Sequence, residues 1–158
     1  MTARSAPKTC STTSRSKAVV SAAWNEPANW AAGAPPAFGQ PVYLNGGGTA
    51  VYDGAPYADG VYTGMWHAVH GGMTLAGGHF TALPTFANAY VRAGIGTGSA
   101  FALTLAGGTF DVGANTLRLG ETAGASATLT LGAGGRLVAQ RVLRGDGSAA
   151  LVADGGTL

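Results

Sequence analysis

Hydrophobic and polar positions alternate in short bursts along most of this chain, and each burst is closed by a pair of glycines. Residues 103–137 show the pattern twice. Leu103-Thr104-Leu105 leads into Gly107-Gly108 and Thr109-Phe110, and Leu129-Thr130-Leu131 leads into Gly134-Gly135 and Arg136-Leu137. Further copies run from Met73-Thr74-Leu75 into Gly77-Gly78, and from Ala150-Leu151-Val152 into Gly155-Gly156. A fainter copy, Val42-Tyr43-Leu44 into Gly47-Gly48, comes first. The Gly-Gly pairs lie 30, 30, 27 and 21 residues apart. Alternation with a period of two predicts strands with one buried face. A repeat of this length predicts a stack of similar units.

A second motif keeps nearly the same step. Val61-Tyr62-Thr63-Gly64, Val91-Arg92-Ala93-Gly94, Leu117-Arg118-Leu119-Gly120 and Val142-Leu143-Arg144-Gly145 have glycines 30, 26 and 25 residues apart. Each unit then holds three short strands: the Leu-Thr-Leu strand, the strand after Gly-Gly, and the Leu-Arg-Leu strand. Three strands per unit predict a parallel β-helix, or β-solenoid, of about four to five coils. Phe80, Phe110, Leu137 and Leu158 are expected to form one internal column. Thr74, Thr104 and Thr130 are expected to form an outward column that Leu151 breaks at the fourth rung. Helical periodicity is absent, and glycine recurs too often for a long helix.

Composition sharpens this picture. Glycine supplies 27 of 158 residues, against a usual share of about 7 %. Hydrophobic content of 46 % is too high for a disordered chain. Four of the nine basic residues, Arg4, Lys8, Arg15 and Lys17, fall in a Ser/Thr-rich opening without periodicity. Residues 1–20 are therefore expected to be a disordered basic leader, with 21–41 an N-terminal cap and 42–158 the solenoid. The body, with five arginines and seven acids, offers no basic face for nucleic acid. Cys10 is the single cysteine, so neither an intrachain disulfide nor a cysteine metal site can form. No apolar run reaches the length of a membrane span.

The cap is expected from Trp24 and Trp30, followed by Gly33, Pro35, Pro36, Gly39 and Pro41. An open stack of strands needs its end covered, and an irregular Trp- and Pro-rich segment can do this. The alternative is a sugar-stacking tryptophan platform. At the other end, Asp154-Gly155-Gly156-Thr157-Leu158 stops within a coil, which suggests a piece of a longer polypeptide.

Candidate chemistry is sparse. His67 and His70 form an H-x-x-H pair, but residues three apart on a strand face opposite ways. Glu121 and Asp146 each follow an aligned glycine and are expected one rung apart on one corner. Such a pair could hold Ca²⁺ or act on glycans, although ordinary turn acids are the plainer reading. Arg92 and Arg118 occupy equal positions on successive coils, and Arg144 is displaced by one. That short stripe could meet acidic glycans, with a solvated face as the plainer reading. Gly94-Ile95-Gly96-Thr97-Gly98 lacks the lysine and helix of a phosphate loop. No catalytic constellation, cofactor or metal site is expected.

The Trp30-Ala31-Ala32-Gly33-Ala34-Pro35 passage resembles the Asn-Trp…Gly…Pro opening of secreted bacterial repeat proteins. The segments LTLAGGTFDVG, LRLGETAGASATLTLGAGGRLVA and VLRGDGSAALVADGGTL resemble autotransporter-associated β-strand repeats and PEP-CTERM-type secreted proteins. The resemblance spans roughly residues 24–158 and departs from the usual acid after the opening glycine, where Gln40 stands. It implies a right-handed parallel β-helix, export, and a non-catalytic structural or adhesive role at the cell surface. Glycans or other cell-surface components are the implied partners. A carbohydrate-active β-helix enzyme or glycan-binding module is the alternative, and an ice- or surface-binding threonine ladder is a third reading.

Overall fold

A computed structural model describes residues 14–15, 23–37, 40–54, 61–63, 66–83 and 91–158. The described residues form an all-β parallel solenoid of about four turns. Its strands are β1 (Ser14–Arg15), β2 (Val42–Leu44), β3 (Thr49–Tyr52), β4 (Val61–Thr63), β5 (Trp66–Ala68), β6 (Gly71–Leu75), β7 (His79–Ala82) and β8 (Val91–Ala93). They continue as β9 (Ala100–Leu105), β10 (Gly108–Asp111), β11 (Thr116–Leu119), β12 (Ser126–Gly132), β13 (Gly135–Val138), β14 (Arg141–Arg144) and β15 (Ser148–Asp154).

Three sheets form the walls. Sheet 1 has the order β1-β2-β5-β8-β11-β14, sheet 2 has β3-β6-β9-β12-β15, and sheet 3 has β4-β7-β10-β13. From β2 onward the chain visits sheets 1, 2 and 3 in strict rotation. Every neighbouring strand pair is parallel.

The alternation seen in the sequence is the cause of the core. In sheet 2 the column Ala50, Met73, Leu103, Leu129, Leu151 is in register, as is Tyr52, Leu75, Leu105, Leu131, Ala153. Met73, Leu75, Leu103, Leu105, Leu129 and Leu131 are all buried. Sheet 3 contributes Phe80, Phe110 and Leu137, also in register and buried. The Phe80 and Phe110 rings stack at 5.5 Å, nearly parallel. Corners between walls need backbone shapes that side chains resist. Gly108 has φ +73°, and a Cβ there would overlap the Gly78 carbonyl oxygen of the rung below.

The first coil is phased differently from the sequence expectation. Val42–Leu44 does not belong to the Leu-Thr-Leu series. It lies in sheet 1, paired with Trp66–Ala68. The Leu-Thr-Leu member of that coil is Ala50-Val51-Tyr52, in register with Met73-Thr74-Leu75. Val61–Thr63 likewise pairs with Phe80, Thr81 and Ala82 in sheet 3, not with the Leu-Arg-Leu strands. Aromatic and β-branched triplets suit any strand, so composition could not assign them to a wall. Of the expected leader, Ser14–Arg15 pairs with Val42 and Tyr43 as a short strand. The remainder of 1–20, Cys10 included, lies outside the described residues, as do Gly39 and Gly64.

Trp24 closes one end of the core. Ala23 bridges to Val51, and the Trp24 amide donates to the Val51 carbonyl at 2.8 Å. The Trp24 ring meets Trp30, Tyr52 and Phe80 edge-on, with centroids 4.8, 6.0 and 5.1 Å away. A 3₁₀ turn, Pro27–Asn29, with Glu26 as its N-cap, returns the chain so that Trp30 Nε1 donates to the Trp24 carbonyl at 2.8 Å. Both indoles are 1 % exposed, so they form a lid on the core and not an exposed sugar platform.

Candidate functional site

Sheet 1 carries a polar and charged column on its outward face. One residue per rung faces out along a single column: Tyr43, His67, Arg92, Arg118 and Leu143. The residues on either side of each strand centre turn inward, as the buried Val91, Ala93, Leu117 and Leu119 show. The two arginines therefore stand one rung apart, as their spacing in the sequence implied. Arg144 is displaced from the column and pairs with Leu119, an inward position.

Glu121 ties the arginines together. Its amide donates to the Gly94 carbonyl, which sets it at the corner beyond β11. Its Oε1 accepts from Arg118 Nη1 at 3.1 Å and lies 3.7 Å from Arg92 Nη1. The carboxylate side chain is 14 % exposed, while the two guanidinium-bearing side chains are about one-third exposed, at 33 % and 32 %. Glu121 Oε2 is buried and accepts no hydrogen bond. One carboxylate thus spaces two like charges that would otherwise repel, and the trio keeps a net charge of +1. Tyr43 and His67 extend the column, their rings edge-on at 5.1 Å. Burial, and then the charge of Arg92, holds the His67 pKa below its usual value of 6.5.

Asp146 does lie one rung beyond Glu121, and its amide points to the Glu121 carbonyl at 3.4 Å. The side chains differ sharply, since Asp146 is exposed and Glu121 is engaged by arginine. A carboxylate pair sharing one reactive space is not what this corner builds.

The threonine column exists in sheet 2, with Thr74, Thr104 and Thr130 in direct register. Its ends correct the sequence expectation. Val51 precedes Thr74 and Val152 follows Thr130, while Leu151 continues the inward leucine column. The corner at Gly132-Ala133 is one residue longer than that at Ala106, and this displaced the apparent alignment of the last coil by one. The column is β-branched throughout, which suits a pleated surface without any ligand.

The histidines are dispersed. His67 stands in the outward column of sheet 1. His70 sits at a corner, where its Nδ1 faces the Ala100 amide at 3.3 Å. His79 meets Asp111 Oδ2 on the neighbouring rung of sheet 3, also at 3.3 Å. Among the described residues no group of three or more His, Cys, Asp or Glu side chains could hold a metal ion.

The glycine-rich corner 94–98 is bonded within the stack. The Gly94 amide donates to the Ala68 carbonyl, Gly96 to Thr122 Oγ1, and Gly98 to the Gly124 carbonyl. Its amides serve rung-to-rung cohesion and form no phosphate cradle. Among the described residues no helix is long and apolar enough to cross a membrane.

Arg92, Arg118 and Glu121 stand out in the sequence, whereas the place of Tyr43 and His67 in the same column does not. Their signal was the x in each apolar-x-apolar triplet, hidden by the mis-phased first coil. No protein-family model, no curated protein and no solved structure matches the chain. The class these observations define is a parallel β-solenoid with one charged wall.

Proposed function

We propose that this chain is a non-catalytic structural or adhesive β-solenoid segment of a secreted or cell-surface bacterial protein. The kinship is with autotransporter-associated β-strand repeats and PEP-CTERM-type proteins. The observation that carries the reading is the division of labour between inside and outside. The inward columns of sheets 2 and 3 run apolar from rung to rung, so the stack is held by one continuous core. The outward residues recur once per rung, so each wall offers a regularly spaced surface. A stack of this kind gives extended, multivalent contact by adding rungs.

Intact producing cells, treated with an external protease and compared with lysed cells, test this reading. Release of peptides from residues 91–158 from intact cells is the expected result. Peptides that appear only after lysis would overturn it.

A further inference from the structure

We propose that the outward face of sheet 1 binds an acidic polysaccharide laid along the axis of the stack. Carboxylate or sulfate groups of the polysaccharide meet Arg92 and Arg118, and one sugar face rests on Tyr43. The inference rests on the surface-protein reading for its biological setting but on the geometry of the column for its chemistry.

Three features select this ligand. The first is charge. The strands of this wall hold Arg15, Arg92, Arg118, Arg141 and Arg144, with Glu121 and Asp146 at its corner, whereas the strands of sheet 2 carry a single charge, Asp154, in the last of them. The second is donor geometry. Each guanidinium presents a planar fork suited to a carboxylate or sulfate, and Glu121 engages both through one oxygen while leaving each about one-third exposed. Glu121 lies against both guanidinium groups and so competes with any ligand anion for them.

The third feature is spacing. Adjacent rungs of a parallel sheet are about 4.8 Å apart. An acidic peptide in extended form places same-face side chains about 6.6 Å apart, and falls out of step with the rungs. Duplex DNA carries one charge per roughly 1.7 Å of axis and would need a far denser basic surface. A linear polyuronate carries one carboxylate per sugar and advances by about one rung per sugar, so its charge density along the axis is close to that of the arginine column. From Tyr43 to Leu143 the column covers four rung steps, or about 19 Å, enough for a short run of sugars. Tyr43, which is partly exposed, contributes a ring for the apolar face of a sugar two rungs from Arg92.

The test is binding of the full chain to polygalacturonate, with dextran and sodium sulfate as comparison ligands. Polygalacturonate should bind in a salt-dependent manner and dextran should bind far more weakly. Replacing both arginines by glutamine (Arg92→Gln with Arg118→Gln) should weaken binding roughly tenfold. Because that pair could leave Glu121 without its counter-charges and disturb the fold, Glu121→Gln supplies a second reading. It removes the competing carboxylate and should tighten binding by about threefold. Thr104→Ala on sheet 2 should leave binding unchanged.

Equal binding of dextran, or weaker binding by Glu121→Gln, would overturn the proposal. Displacement by sodium sulfate at equal charge concentration would reduce the site to one for simple anions and also overturn it. A protein released from intact cells that ignores polygalacturonate sinks the ligand alone. One that binds it but is found only inside the cell sinks the surface reading alone.

Discussion

The two ends of the stack are built from the same columns and end differently. At the first coil, Trp24 lies across Tyr52 and Phe80, Trp30 lies against Trp24, and both indoles are almost wholly buried. At the last coil, Leu151 stands in the same inward column as Leu129 but is 49 % exposed, and Leu158 is 68 % exposed. Every residue of β15 is exposed. A rung is stabilised by neighbours on both sides, so a residue's position in the column does not alone fix its energetic worth. Its place along the axis matters as much. The last rung also carries Arg144 at the inward position that Leu44, Ala68, Ala93 and Leu119 fill on earlier rungs.

The largest difference between the ends should appear on truncating their apolar residues. Trp24→Ala removes a buried indole and should cost about 3–5 kcal/mol. Leu151→Ala should cost less than about 1 kcal/mol, because half of that side chain already meets water. Urea unfolding with a common m-value gives both numbers, and equal losses would erase the distinction drawn here. Trp24→Phe sharpens the point. Trp24 Nε1 is buried and has no hydrogen-bond partner, so the phenyl ring keeps the packing and discards an unsatisfied donor. It should recover most of what alanine loses.

A smaller effect separates tight corners from open ones. Gly108 and Gly98 both have positive φ, at +73° and +79°. A Cβ at Gly108 would overlap the Gly78 carbonyl oxygen, whereas one at Gly98 meets nothing within 4 Å. Gly98→Ala should therefore cost only the backbone strain, about 1 kcal/mol, and Gly108→Ala at least twice that, about 2–3 kcal/mol. Thermal unfolding of the two variants checks the ranking.

The smallest effect concerns acid. His67 has its folded-state pKa lowered, first by burial and then by Arg92. The unfolded chain therefore takes up the His67 proton before the folded one does. Its contribution to stability is complete above pH 6.5 and is lost as the pH falls through and below that value. His67→Gln should flatten this part of the stability profile. A profile that is unchanged by the substitution would place the titration elsewhere.

Much of this architecture could be read from the chain before any coordinates. Leucine alternating with threonine, closed by Gly-Gly, states both which side is inward and where the corner lies. For that reason the register of β6, β9 and β12 agrees with the sequence alignment. The failures occurred where one of those two signals was missing. In the first coil, Val42-Tyr43-Leu44 and Val61-Tyr62-Thr63 suit a strand on any wall, and only the three-sheet rotation assigns them. In the last coil the extra residue at Gly132-Ala133 moved the apparent register by one, which put Leu151 where Val152 stands. The arginine stripe was readable as a period. Its coupling to Glu121 was not, because the contact depends on how the corner after Gly120 turns.

The stacked register of the last two rungs is the claim most open to direct challenge. In a Cys10→Ser background, Thr130→Cys with Val152→Cys places two outward thiols on facing positions of β12 and β15. Neighbouring rungs are about 4.8 Å apart, within the Cα range of a disulfide. Mild oxidation followed by intact-mass measurement should show quantitative loss of two hydrogens for this pair. Thr130→Cys with Leu151→Cys should remain reduced, because Leu151 points to the opposite face. Cross-linking of the second pair in place of the first would contradict the register, and with it the continuation of the inward leucine column through Leu151.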